Sequence, residues 1–174
     1  DTNKEFRTAF LNWIEPLVDE PLTDYAWDIR IQDTRNSQYG DAILDMAWIN
    51  PQIELWFEHK IGAELNKYDT NTGNQVDQLQ KYLDAAARTM LGIKDGKPNV
   101  QWPQQPTPGS PKVVLFYISR SGSPLDRTDY EGKLYSDHGF GLAFPANNKQ
   151  LRWKDFYIPG TNALSKALTG AEGV

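Results

Sequence analysis

The sequence predicts an α/β fold of the layered α+β kind, with a central mixed sheet of about four or five strands flanked by helices. Three observations carry this. An amphipathic helical stretch opens the chain and is followed by three strand-like runs within residues 25–61. The last two of those runs are close enough to form an antiparallel hairpin. A second amphipathic helix then precedes a continuous apolar run at 113–118, typical of a strand covered on both faces. With 174 residues, 39% apolar and 12% aromatic content, and six Trp, the chain suits one compact domain. We read residues 1–174 as that domain, with a core over 4–118 and a tail over 119–174.

Residues 4–18 repeat apolar side chains at three-four spacing (Phe6, Ala9, Phe10, Trp13, Ile14, Leu17, Val18), and Pro21 lies just beyond. Residues 25–31 alternate like a strand, Asn36 to Gly40 reads as a turn, and residues 42–49 as a second strand. Asn50-Pro51 signals a turn before a third strand over 53–61. A polar, glycine-containing stretch from Asn66 to Asn74 leads into the second helix, where Thr72 and Gln75 resemble a capping box. Val76, Leu79, Tyr82, Leu83, Ala86 and Met90 form its apolar stripe, and Gly92 is a natural stop. Five prolines within 98–111 exclude a regular helix or central strand there. In the tail, 140–144 and 153–158 are candidate strands and 161–168 a short helix.

Composition removes several chemistries. There are no cysteines, which excludes disulfides, thiol catalysis and Cys-based zinc sites and is compatible with the cytoplasm, where we expect the protein. Two histidines, His59 and His138, are too few for a His-rich zinc centre. No apolar run approaches the ~20 residues that span a bilayer, and the N-terminus lacks a signal-peptide pattern, so no membrane partner is expected. The net charge of −5 argues against nonspecific coating of nucleic acid, although a metal-collecting site needs local carboxylates.

The informative segment runs from Asp45 to Lys60. Strand side chains alternate, so Glu58 and Lys60 share a face, while Phe57, His59 and Ile61 share the other. A hairpin would bring Asp45 opposite Glu58. Two converging carboxylates suit a hard divalent cation such as Mg²⁺. A neighbouring lysine can orient water and offset phosphate charge, a combination suited to phosphodiester hydrolysis. A Glu-x-Lys pair is commonly an ordinary ion pair on a solvated edge. Here the flanking Ile53, Leu55, Trp56, Phe57 and Ile61 mark a central strand, where burying both charges without purpose would be costly.

This segment resembles the PD-(D/E)xK nuclease superfamily: Leu44-Asp45, a thirteen-position step to Glu58, then His59 and Lys60. Leu44 stands where that pattern has proline. Gln78-Leu79-Gln80-Lys81-Tyr82 is similar to the Gln…Tyr helix motif of the RecB-like, exonuclease-type branch. The resemblance covers residues 4–118 and implies a restriction-endonuclease-like fold with Mg²⁺ or Mn²⁺ as cofactor and DNA as substrate, RNA being a further option. It implies that Asp45, Glu58 and the backbone carbonyl of His59 bind the metal. Lys60 would then assist the attacking water, with Gln78 and Tyr82 supporting the site. Relatives of this kind serve in restriction, phage defence, repair and recombination.

Other residues carry weaker signals. Asp41 is an alternative first acid, and Glu5, Asp19 and Glu20 read first as ordinary helix-end or loop carboxylates. His59 faces away from the acids, so its ring reads as packing; His138 lies in a loop without an evident partner. Lys67, Lys81, Arg88, Lys112, Arg120, Arg152 and Lys154 are scattered basic residues that could meet phosphates, and Trp102 could stack on a base or pin its loop. No glycine-rich phosphate loop or nucleophile elbow is visible. The rival expectation is a catalytically inactive nuclease-fold module that binds nucleic acid or protein. A sugar or small-phosphate enzyme lacks a positive signal. The start at Asp1 rather than Met reads as a piece of something larger.

Overall fold

The computed structural model describes residues 2–18, 20–60, 66–69, 73, 75–94, 100, 106–119, 141–143 and 151–152. Helix α1 spans Thr2–Val18. A 3-10 turn at Leu22–Asp24 leads to strands β1 (Asp28–Ser37) and β2 (Gly40–Ile49), which pair antiparallel from Asp28↔Ile49 to Ser37↔Gly40. The first strand therefore starts later than the 25–31 expected and runs on into the residues read as a turn. The turn itself is only Gln38 and Tyr39. The reason is that β1 is an edge strand with mostly exposed side chains, so backbone pairing rather than burial defines it. Ser37 Oγ fixes the turn by accepting from Tyr39 N–H at 3.0 Å and donating to the Gly40 carbonyl at 2.8 Å.

Strand β3 (Ile53–Lys60) pairs antiparallel with β2, as the hairpin expectation requires. Two three-residue strands, β4 (Lys67–Asp69) and β5 (Gln75–Asp77), then form a small separate hairpin inside the stretch read only as polar. That hairpin delays helix α2, which spans Gln78–Leu91. Its capping box is made by Asp77 and Gln80, at 2.8 Å from Gln80 N–H to Asp77 Oδ1 and 3.0 Å from Asp77 N–H to Gln80 Oε1. Thr72 and Gln75 do not make it: Gln75 belongs to β5, and Thr72 lies outside the described residues. Val76, too, sits in β5 opposite Tyr68 rather than in the helical stripe. Gly92 ends α2 with φ of 66°, the left-handed conformation expected of that stop.

Strand β6 (Lys112–Ser119) runs parallel to β3, so α2 lies on the crossover between two parallel strands. Two short strands, β7 (Gly141–Ala143) and β8 (Leu151–Arg152), both pair with β6, giving a mixed sheet ordered β1-β2-β3-β6-β7. The strand expected over 153–158 and the helix over 161–168 lie outside the described residues, as do Trp102 and His138.

Alternation along β3 and β6 builds two cores, one on each face. Phe10, Leu11, Ile14 and Val18 of α1 pack on Leu55, Phe57, Phe116 and Ile118. The Phe57 ring stacks on Phe116 at 5.1 Å and meets Phe10 at 5.4 Å. On the other face, Leu79, Leu83, Ala86 and Met90 of α2 cover Trp56, Val113 and Leu115. Among the described residues no helix is long and apolar enough to cross a membrane.

One buried ionic cluster locks α2 to the first hairpin. Asp84 accepts from Gln38 N–H at 2.7 Å, from Gln38 Nε2 at 3.0 Å and from Arg88 Nε at 2.7 Å. Arg88 is only 1% exposed, so Asp84 neutralises a guanidinium that water does not reach. Removing one member of such a pair leaves an uncompensated buried charge. Asp84→Ala is therefore expected to cost about 3–5 kcal/mol in urea unfolding, and a loss below about 1 kcal/mol would show the cluster to be dispensable.

Candidate functional site

The site arises where β2 and β3 stop pairing. Their ladder runs from Ile49↔Glu54 to Met46↔Phe57 and ends there, one step short of placing Asp45 against Glu58. On its other side β2 has its only gap with β1 at the same level, between Asp45 and Gln32. Gln32 has φ of 54°, a left-handed conformation that costs a non-glycine residue about 1–2 kcal/mol. Side-chain alternation slips across this point. Ala42 and Leu44 face α2, yet Met46 joins the α1 core and Ala47 the α2 core.

The slip releases the Asp45 carboxylate from the regular ladder. Its Oδ2 accepts the His59 N–H at 2.8 Å, taking the place that the departing β2 backbone leaves open. In an extended strand the N–H and C=O of one residue point to the same side. The His59 carbonyl is thereby directed towards the same gap.

Glu58 follows on β3, 1% exposed, and its backbone pairs with Tyr117. It shares a face with Glu54, and the two carboxylates have different fates. Glu54 is committed to the fold: Arg35 lies at 2.9 Å and Trp56 Nε1 donates to it at 2.8 Å. Glu58 lines a cleft of about 380 Å³ together with Asp45, His59, Gln78, Lys81, Tyr82, Asp41 and neighbours.

Helix α2 forms the opposite wall. Gln78 and Tyr82, four residues apart on one face, make a chain: Gln78 Nε2 donates to the Tyr82 hydroxyl at 2.7 Å, and that hydroxyl donates to the Ile43 carbonyl. Gln78 Oε1 is buried and, among the described residues, has no hydrogen-bond partner. Burial, reinforced by the Glu58 charge, pushes the Tyr82 phenol far above its ordinary range, so it remains a neutral proton donor. Burial also lowers the His59 pKa, against the opposing pull of Asp45. The His59 ring sits beside Phe57, at 6.2 Å between centroids, so its side chain belongs with the α1-side packing.

The structure thus brings Asp45, Glu58, His59, Gln78 and Tyr82 to one cleft. Lys60 ends β3 with its backbone opposite Ser119; its side chain lies outside the described residues. Asp41 also lines the cleft, exposed and nearer the β1–β2 turn, while Asp45 alone of the two reaches β3. Glu5 is exposed on α1, which packs on the other face of the sheet, and Glu20 pairs with Lys112 at 3.1 Å. Asp19, Arg120 and Lys154 lie outside the described residues.

Among the described residues no group of three or more His, Cys, Asp or Glu side chains gathers as a metal cluster. Beside the exposed Asp41, the cleft offers the Asp45 and Glu58 carboxylates and the His59 backbone carbonyl, an all-oxygen donor set. Mg²⁺ accepts such a set because it binds through one or two carboxylates and keeps several waters. Sequence reading missed Gln32, Asn66 and Tyr68 as cleft residues. The apolar residue in the middle of each arm of 67–69 and 75–77 was the available signal for the hairpin carrying Tyr68; nothing local marks Gln32. Comparison of the chain with protein-family models, curated proteins and solved structures found no match.

The left-handed residue gives a direct test. Gln32→Gly is expected to be neutral or stabilising by up to about 1 kcal/mol, and the β-branched Gln32→Val to cost about 1–2 kcal/mol. Urea denaturation measures both. Equal stability of the two variants would mean that the kink is not held as described.

Proposed function

We propose that this protein is a metal-dependent nuclease that hydrolyses phosphodiester bonds in DNA. The observation that supports it most is the Asp45 carboxylate, turned out of its strand onto the His59 N–H in the cleft that Glu58 also lines. Asp45, Glu58 and the His59 carbonyl would hold Mg²⁺ or Mn²⁺, and the ion would supply an activated water and charge neutralisation at the phosphate. The chain's own contribution is positional. Asp45 is fixed by a backbone N–H, which leaves its second oxygen for a ligand. The Gln78–Tyr82–Ile43 chain ties α2 to β2 beside Asp45 and sets the width of the cleft. Lys60 is assigned by resemblance to assist the attacking water.

The net charge of −5 favours a second reading, a nuclease-fold module that binds without cutting. One experiment separates the two. The protein is incubated with linear, circular and single-stranded DNA and with RNA, in Mg²⁺, Mn²⁺ or chelator. Cleavage that chelator abolishes is expected. Asp45→Asn, Glu58→Gln and Lys60→Ala should each lower the rate about a hundredfold or more while leaving the unfolding midpoint near that of the parent. Cleavage indifferent to chelator and to these substitutions would sink the proposal, and binding without cleavage under every condition would establish the second reading.

A further inference from the structure

Lys81 lies one turn into α2, three residues after Gln78 on the cleft-facing side, and is 8% exposed. Its Nζ sits 4.5 Å from the centroid of the Tyr68 ring, contributed by the β4–β5 hairpin. Among the described residues no carboxylate stands within ion-pair distance of it; Asp41 acts only at longer range. A π face attracts an ammonium but accepts none of its three N–H bonds well. The position also runs against local preference. A cation near the N-terminus of a helix meets the positive end of the macrodipole, where the nearest acidic group on α2 is its cap, Asp77, already engaged with Gln80 N–H. Burial without a salt bridge, at the disfavoured end of a helix, is costly unless an anion completes the site.

We propose that Lys81 binds a phosphate of the nucleic-acid strand next to the one positioned between Asp45 and Glu58, with Tyr68 holding the ammonium aimed into the cleft. This rests on the nucleolytic reading for the identity of the strand, though not for the existence of the anion site. The Tyr68 ring restrains the lysine stem, so less rotamer freedom is lost when phosphate arrives. The two contributions differ in kind. The acids act on the linkage that breaks, and Lys81 fixes the register of the strand along the cleft.

The test uses the full chain and a fluorescein-labelled oligothymidylate of about ten nucleotides, a length that covers one binding groove. Binding is followed by anisotropy in Ca²⁺, an oxygen-seeking ion of looser geometry than Mg²⁺. Lys81→Met is expected to weaken binding about five- to tenfold and to reduce the slope of log affinity against log salt by about 0.7, the value for one phosphate contact on a single strand. Lys81→Arg should keep the slope. A scan of single methylphosphonate linkages, each removing one charge from the probe, should reveal a position where the parent protein loses affinity and Lys81→Met does not. Failure of the parent protein to bind the probe, no sensitive linkage, or equal sensitivity in both proteins would overturn the proposal. If Lys81→Met does not fold, Lys81→Gln, which also removes the charge, takes its place in the same comparison. Binding through Lys81 without cleavage in Mg²⁺ or Mn²⁺ would support this site and sink the hydrolytic reading. Cleavage with Lys81-independent binding would do the reverse.

Discussion

The hydrogen bond from the His59 N–H to Asp45 Oδ2, 2.8 Å long, sits where two neighbouring strands part. Most features of the cleft follow from that parting. A continued β2–β3 ladder would set Asp45 against Glu58 within a closed sheet and leave no space between them. Instead β2 kinks at Asp45 and β1 kinks opposite it at Gln32, and the carboxylate satisfies the backbone donor that β2 abandons. The strain at Gln32 persists because the flanking pairs, Ile31↔Met46 and Asp33↔Leu44, hold the register on both sides.

The rest of the structure makes that local disruption affordable. β3 and β6 are buried on both faces, with α1 and α2 each covering one, so the sheet stays rigid just behind the split. Three consecutive buried alanines, Ala85, Ala86 and Ala87, let α2 lie close to the strands. The Asp84–Gln38–Arg88 cluster anchors the helix to the far end of the first hairpin, and the Tyr82 hydroxyl ties its near end to Ile43. The wall of the cleft is therefore fixed both to β2 and to the β1–β2 turn.

Charge is divided between fold and cleft in a way that composition conceals. Arg88 and Lys112 are committed to Asp84 and Glu20, and Arg35 to Asp33 and Glu54 while lying over the Trp56 ring at 5.1 Å. These cations hold the scaffold. Lys81 is different, because it faces the cleft acids across a space rather than pairing with one of them. An acidic chain can in this way keep a positively charged spot where an anion would enter.

The sequence by itself determined the types of the main elements, the β2–β3 hairpin, the doubly covered β6 strand and the Gly92 stop, because periodicity and turn chemistry report burial and φ along a single segment. It also placed Asp45, Glu58, Gln78 and Tyr82 on elements able to meet, though a short motif shows neither distance nor direction. Only the tertiary structure decided that Glu54 meets Arg35 while Glu58, of the same strand parity, lines the cleft. It alone revealed the left-handed Gln32, the Asp77 cap and the small hairpin that lays Tyr68 over Lys81. These depend on partners far along the chain, Gln32 on Asp45 and the hairpin on α2. Contacts between distant segments leave no period in the segments themselves.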